Sequence, residues 1–242
     1  MPKREITNMI NRMLDNIFPP FLRDSKIFMR PFMYLILGKK YKYYMSFKED
    51  LYSLTDKEID DYYSILSDTF IKRDTDLAES SISCIIDNIA GSRVIDVGCG
   101  KGFLARKLRE LPLEEVCACD ITARDAKEGG IRYVKGSITS LPFGDDSFDT
   151  VICAHTIEHI RDIGKAVSEL RRICRNRLII VVPRQREYKY TFDLHIHFFP
   201  YVFSLQRLLG PSDSVYILKD NDMICIENVH KTAAGDRSIL NG

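Results

Sequence analysis

Three glycines at alternate positions, Gly98, Gly100 and Gly102, follow the apolar run Val94-Ile95-Asp96-Val97 and precede Phe103-Leu104-Ala105-Arg106-Lys107-Leu108. Glycine admits positive φ and lets a ligand approach bare main chain. A strand, a glycine turn and a helix in that order therefore form a ligand cradle at a strand's carboxyl end, with unpaired N–H groups at the helix start near Lys101. Cys99 stands between the first two glycines, and Asp120 closes a second apolar run, Val116-Cys117-Ala118-Cys119. A carboxylate at that place can accept hydrogen bonds from both hydroxyls of a ribose. Dinucleotide sites use G-x-G-x-x-G, whose third glycine packs helix against strand; here Phe103 takes that position. The spacing present, G-x-G-x-G, suits a nucleoside with a small zwitterionic tail better than a pyrophosphate.

The histidines offer a second set of chemical groups. His155-Thr156-Ile157-Glu158-His159 matches H-x-x-E-H, an inverted zinc-protease pattern in which an i, i+4 pair shares one helix face. The segment begins at the end of a strand, which puts His155 before any helix, so no metal is expected there. An imidazole with an ordinary pKa of about 6.5 suits removal of a proton from an attacking alcohol. His155 is the candidate base, with simple contact to the cofactor as the alternative, and His159 is read as a structural residue. His195 and His197 alternate in Asp193-Leu194-His195-Ile196-His197-Phe198-Phe199. They are read either as loop residues before a helix or as substrate-binding groups. A metal shared by Asp193, His195 and His197 has no further spacing to support it.

These groups need a scaffold, and the patterning supplies one. Residues 1–90 read as helical. Ile6, Met9, Ile10, Met13, Leu14 and Ile17 share a helix face, and Pro19-Pro20 ends that helix. Ile27 to Leu37 predicts a helix bent or broken at Pro31. Thr55-Asp56-Lys57-Glu58 is a capping box for a helix whose inner face is Ile59, Tyr62, Tyr63, Leu66 and Phe70. A further helix is expected from Thr75 to Ile89. After Gly91, short β-branched runs alternate with helical patterns. Strands are expected at Arg93–Val97, Val116–Asp120, Ile131–Lys135, Asp149–Ala154 and Arg177–Pro183. Helices are expected at Lys101–Glu110, Ile157–Arg171 and Pro200–Leu209. Ser214–Leu218 and Met223–Val229 read as a closing antiparallel hairpin. The alternation implies an α/β fold with a parallel sheet and helices on both faces. The boundary is placed near residue 80: a helical lid over 1–80 and the α/β domain over 81–242.

Composition narrows the class. At 242 residues, 45% apolar and 29% charged, the chain is that of a soluble globular protein. Its net charge of +1 is unevenly spread: residues 1–48 hold ten Lys/Arg and three Asp/Glu, a local balance of +7 that leaves −6 for the rest. Nine aromatics between Phe18 and Phe47, with Lys39-Lys40-Tyr41-Lys42-Tyr43-Tyr44 interleaving cation and ring, suit an anionic membrane surface, an anionic substrate or stacked single-stranded nucleic acid. A core-packing lid with a solvated basic rim accounts for the same texture. Tyr43 and Tyr44 are candidate substrate contacts. Seven cysteines without framework spacing read as reduced thiols in a cytoplasm. The N-terminus lacks an apolar stretch followed by a small-residue cleavage site, the expectation for a chain without a secretory signal.

VIDVGCGKGFLARKL, then VCACD, then YVKGSITSLPFGDDSFDTVICAHTIEHI, resembles the class I S-adenosylmethionine-dependent methyltransferases, in particular their small-molecule type 11 branch. The resemblance covers about residues 85–183. It implies a Rossmann-like sheet of seven strands, only the last antiparallel, and S-adenosylmethionine as cofactor. By position it implies that Asp96, Gly98, Cys99 and Gly100 line the methionine part, that Gly102 closes the turn, and that Asp120 holds the ribose. Ile121 would pack on the adenine, and Ser137 would replace the usual acid facing the adenine amino group, beside Ile138. Ala154, His155 and Thr156 would face both cofactor and substrate. The family commonly carries an acid–His pair at Glu158-His159 without metal. It also uses a variable N-terminal lid to select substrate, so the acceptor is expected to be a small molecule or a lipid-linked sugar or envelope precursor, methylated on oxygen. On that reading the protein is cytoplasmic, with peripheral membrane contact through residues 1–48. The alternatives are an RNA methyltransferase, for which the Asn/Asp-Pro-Pro-aromatic motif is missing after the fourth strand, a catalytically inactive cofactor-binding scaffold, and an NAD(P) enzyme, against which Phe103 stands.

Overall fold

The computed structural model describes residues 17–55, 57–59, 62, 75–191 and 194–229. The expected helix over Ile6–Ile17 lies outside them but for its last residue, as do Tyr63, Leu66 and Phe70. The chain divides into two compact units: one of residues 1–74 with 158–161 and 185–200, the other of 75–157 with 162–184 and 201–242.

The first unit is helical: α1 Pro20–Arg23, α2 Lys26–Leu37 and α3 Tyr41–Asp50, with a 3-10 turn Gly38–Lys40 between the last two. Ser25 caps α2, its hydroxyl accepting from the Phe28 N–H at 3.4 Å. Pro31 sits inside α2 without ending it, so of the two expectations, bent or broken, the break does not occur. Met29, Met33 and Leu37, at i, i+4 and i+8, point into a core shared with Tyr41, Tyr44, Met45 and Phe47 of α3 and with Tyr190 and Leu194. The stretch 185–200 is pinned to these helices. Lys48 reaches both the Glu187 carboxylate, at 3.3 Å, and the Tyr188 carbonyl, and the Arg23 guanidinium lies over the Tyr188 ring. The 158–161 stretch is tied in through Arg161, which donates to the carbonyls of Leu51 and Leu54. The capping box forms as its residues dictate: the Thr55 N–H meets Glu58 Oε2 at 2.7 Å, and the Glu58 N–H meets Thr55 Oγ1 at 3.3 Å.

The second unit is the α/β sandwich. In chain order it runs α4 Glu79–Asp87, β1 Arg93–Val97, α5 Phe103–Arg109, β2 Glu115–Asp120, β3 Ala126–Glu128, β4 Ile131–Lys135, β5 Phe148–Ala154, α6 Ile163–Ile173, β6 Cys174–Pro183, α7 Val202–Leu209, β7 Ser214–Lys219 and β8 Asp222–Asn228. The sheet order is β3-β4-β2-β1-β5-β6-β8-β7. β4, β2, β1, β5 and β6 are parallel, and β8 runs antiparallel to both β6 and β7. Eight strands stand where seven were expected. The extra one, β3, is an exposed antiparallel edge against β4, and its sequence Ala126-Lys127-Glu128 carries no apolar alternation. Several helix expectations also shift. The helix after β5 does not run from Ile157; Ile157–His159 is a 3-10 turn, and α6 begins where Asp162 caps it by accepting from the Lys165 N–H at 2.9 Å. The helix after the glycine turn starts at Phe103 rather than Lys101.

Successive strand residues alternate between faces. Val94, Val116, Ala118, Ile152, Ile179, Val181 and Ile224 pack with α4 and α5 on one face. The alternate residues, among them Ile95, Cys117, Cys153 and Ile180, are equally buried, as are Ala166, Val167 and Leu170 along one side of α6. A sheet covered on both faces explains near-continuous apolar strands. The order places β1 between β2 and β5, so the chain's direction of progress reverses there. The crevice beyond the carboxyl ends of β1 and β5 is the switch point where such sheets bind ligands.

Candidate cofactor turn and histidine cluster

At the carboxyl end of β1, Gly98, Gly100 and Gly102 adopt φ of +77°, +51° and +73°. Each glycine answers a different need. A Cβ on Gly98 would collide with the Thr156 side chain, and one on Gly102 would come 2.8 Å from the Tyr133 hydroxyl. At Gly100 a Cβ would meet nothing within 4 Å, so bare main chain faces open space there. The turn is laced to β2: the N–H groups of Gly98 and Cys99 both donate to the Cys119 carbonyl, at 2.7 and 3.2 Å. The Gly100 N–H donates to Asp120 Oδ2 at 2.9 Å, while Asp120 Oδ1 accepts from the Thr122 N–H and hydroxyl at 2.8 and 2.7 Å. Three of the four lone-pair positions on this carboxylate are thereby used, which fixes its plane and leaves one on Oδ2.

Asp96, on β1 beneath the turn, is 3% exposed. Burial first, and then the charge of Asp120, push its carboxyl up to about 7, against the pull of the Ala105 N–H. Burial likewise raises the Cys99 thiol, reinforced by Asp96 and Asp120. A buried carboxyl raised beside a second carboxylate makes a site whose electrostatic need is a cation. A ligand with an ammonium and a sulfonium meets that need; a pyrophosphate would worsen it. The residues present therefore fit S-adenosylmethionine.

The neighbouring loops complete the rim. Gly136 sits against Pro142 and Cys119, and its N–H bonds to the Asp120 carbonyl at 3.2 Å, which brings Ser137 and Ile138 to the end of β2. Ile138 is buried and Ile121 exposed. Ser137 Oγ is held by Thr139, at 3.0 Å from its hydroxyl and 3.4 Å from its N–H. After β5, Ala154 leads to His155, whose backbone is left-handed at φ +49°, an uncommon state for a non-glycine residue. That kink rules out the i, i+4 helical pairing of His155 with His159. The His155 ring turns instead to Asp222 at the start of β8, with Nε2 2.9 Å from Oδ1. Asp222 also accepts from the Ser81 hydroxyl at 2.6 Å. Burial raises its carboxyl, but His155, Ser81 and the Ala78 N–H outweigh that and hold it below the usual range. Asp222 is the residue the sequence reading missed; nothing local marks a partner 67 residues away.

The remaining candidates lie in the helical unit. His195 is buried with Nδ1 2.7 Å from Gln185 Oε1, and its ring meets that of His159 edge-on with centroids 4.8 Å apart. His159 Nδ1 lies 3.3 Å from the Leu194 carbonyl. His197 is half-buried, and Asp193 lies outside the described residues. Tyr44 is buried in the helical core, so its ring is taken up by packing, whereas Tyr43 stays exposed with its ring edge-on to Tyr62.

Comparison with known proteins agrees with this geometry. Residues 95–182 match the family described as a methyltransferase domain, type 11. A Bacillus subtilis protein named uncharacterized methyltransferase YcgJ is 35% identical over 95 residues, covering 35% of this chain and 37% of that protein. The ubiquinone/menaquinone biosynthesis C-methyltransferase UbiE of Hahella chejuensis is 31% identical over 107 residues, 38% of this chain and 43% of that protein. The chain thus spans well under half the length of these curated relatives. The crystal structure of a SAM-dependent methyltransferase from Aquifex aeolicus shares the fold at a TM-score of 0.50 and 15% identity, covering 73% of this chain and all of that one. Over residues 95–182 the chain is thus similar to methyltransferase domains.

Proposed function

We propose that this protein methylates an oxygen of a small or lipid-linked acceptor, with S-adenosylmethionine at the glycine turn and His155 as base. The single observation that carries the reading is the Asp222–His155 pair, set directly after β5 and beside the turn through the packing of Thr156 on Gly98. When bound, the cofactor supplies a sulfonium-activated methyl group. Asp120 and the bare main chain at Gly100 grip the nucleoside, and Asp96 answers the cationic tail. An ionised Asp222 accepts the proton on His155 Nε2 and so orients the imidazole. The ring takes the acceptor's proton, and the buried carboxylate stabilises the imidazolium formed. Alignment of oxygen, methyl and sulfur supplies the rest of the rate.

A lipid-linked acceptor is supported by the outward face of α2. Ile27 is 88% exposed, Leu35 82%, and Tyr34 is also bared, as is Phe21 of α1, with Lys26, Arg30 and Lys39 nearby in sequence. An apolar strip among cations suits an interface with anionic lipid. The relative named for ubiquinone and menaquinone biosynthesis is a C-methyltransferase, so transfer to carbon is the competing outcome. The test is transfer of labelled methyl from S-adenosylmethionine to extracted lipid and metabolite fractions, with calorimetry of S-adenosylhomocysteine binding alongside. His155→Gln is expected to keep product affinity within about twofold and to slow transfer about 100-fold. Full turnover by that variant, or a labelled product methylated on carbon, overturns the assignment.

A further inference from the structure

We propose that Glu158, His159 and His195 form a binding site for a divalent first-row transition metal within the helical unit. The carboxylate and one ring nitrogen of each histidine lie within 4.8 Å of one another, and Glu158 is 1% exposed. Two imidazoles with one carboxylate is the donor set of zinc and iron(II) sites that keep positions open to water or an oxygen ligand. Bonds of about 2.1 Å place donors roughly 3–3.5 Å apart, so side-chain rotation of about an ångström closes the set.

The surrounding hydrogen bonds already orient the ligands. A backbone carbonyl can only accept, so the contact to the Leu194 oxygen makes His159 Nδ1 the protonated nitrogen. The 2.7 Å contact to Gln185 Oε1 does the same for His195. In both rings Nδ1 is thereby oriented by an oxygen acceptor. Locking a ligand's tautomer through its other nitrogen is the usual outer support of a metal-bound histidine. The two chain segments that bring the donors are joined as well: the Glu158 carbonyl accepts from the N–H groups of Ile196 and His197, at 2.8 and 3.0 Å. The carboxylate and both imidazoles thus sit on a preassembled frame, one that the H-x-x-E-H pattern did not describe, since His155 is bound elsewhere and His195 takes its place. The site stands on these residues alone and is independent of the methyl-transfer reading.

Cobalt(II) added to the full chain, stripped with chelator, tests this. Its visible spectrum separates imidazole–carboxylate from thiolate ligation, which matters in a protein with seven thiols. One equivalent is expected to bind with a spectrum free of thiolate charge transfer and to raise the melting temperature. Uptake should fall as pH drops below about 6.5, where protons compete for the imidazoles. His159→Gln and His195→Gln should each weaken binding tenfold or more, and His155→Gln should leave it unchanged. Glu158→Gln is expected to behave like the two histidine variants; should the loss of a buried carboxylate prevent folding, those two variants, checked for a metal-free melting transition, decide the matter. No saturable uptake by the unaltered chain, a thiolate spectrum, or unchanged affinity in both histidine variants overturns the site.

Discussion

Asp96 and Asp120 face each other's charge beneath the turn, and the consequence is a stability that depends on pH in an unusual sense. The Asp96 carboxyl is raised to about 7 by burial and by Asp120, from about 3.9 in an unfolded chain. A raised pKa means that the folded state holds the proton more tightly. Its contribution to stability is therefore complete below about pH 4 and is lost as pH rises through about 7. Urea unfolding of the ligand-free protein should show this contribution shrinking between about pH 5 and pH 8, and Asp96→Asn should flatten that part of the profile. A profile unaltered by the substitution would show that Asp96 ionises freely. The glycines could be read from the sequence because a turn of this shape demands residues that accept positive φ at fixed offsets. The Asp222–His155 pair and the His195–Gln185 contact could not, since they join residues on separate strands and loops that only the folded chain brings together.

Among the elements, the segment Leu141-Pro142-Phe143-Gly144-Asp145 shows how a sequence motif earns its shape. One side chain from α6 organises it. Arg172 donates to the carbonyls of Leu141 and Phe143, to Asp145, and to both oxygens of Glu169, at 2.7 to 3.1 Å. Glu169 in turn accepts from the Leu141 N–H at 2.8 Å. Arg172→Ala strips this loop of most of its anchors and is expected to destabilise the protein by about 2–3 kcal/mol. The measurement is the denaturant midpoint at unchanged slope; a loss below about 0.5 kcal/mol would mean that the loop is held by its apolar contacts alone. The strands were legible at this scale because a doubly covered sheet demands apolar runs. β3 was not, being polar and exposed at an edge, and the start of α6 was not, because the cap at Asp162 overrode an apolar period that begins earlier.

At the scale of the whole molecule, the charge is concentrated at one end of the chain, with +7 in residues 1–48 and −6 beyond. The exposed side of α2 adds Ile27 and Leu35 to that basic region. Vesicles containing about 30% anionic lipid should sediment the protein at low salt, and binding should fall as salt screens the cations. Ile27→Ser combined with Leu35→Ser should weaken vesicle binding about tenfold without lowering stability, because neither side chain is in the core. A supernatant that retains the protein at low salt removes the membrane from the account. Among the described residues, no helix is long and apolar enough to cross a membrane. The stretches 158–161 and 185–200 leave the sheet's chain to join the helical unit, and no local pattern announces that excursion.

All seven cysteines are unbridged, and only Cys99 is even partly open to solvent. Burial drives the Cys117 and Cys119 thiols up to about 11 and 12. An alkylating reagent therefore meets almost no reactive sulfur while the chain is folded and several once it opens. Six natural sentinels are distributed through the α/β scaffold, so the pace at which they take up a mass label reads how often that scaffold breathes, with no engineered probe at all.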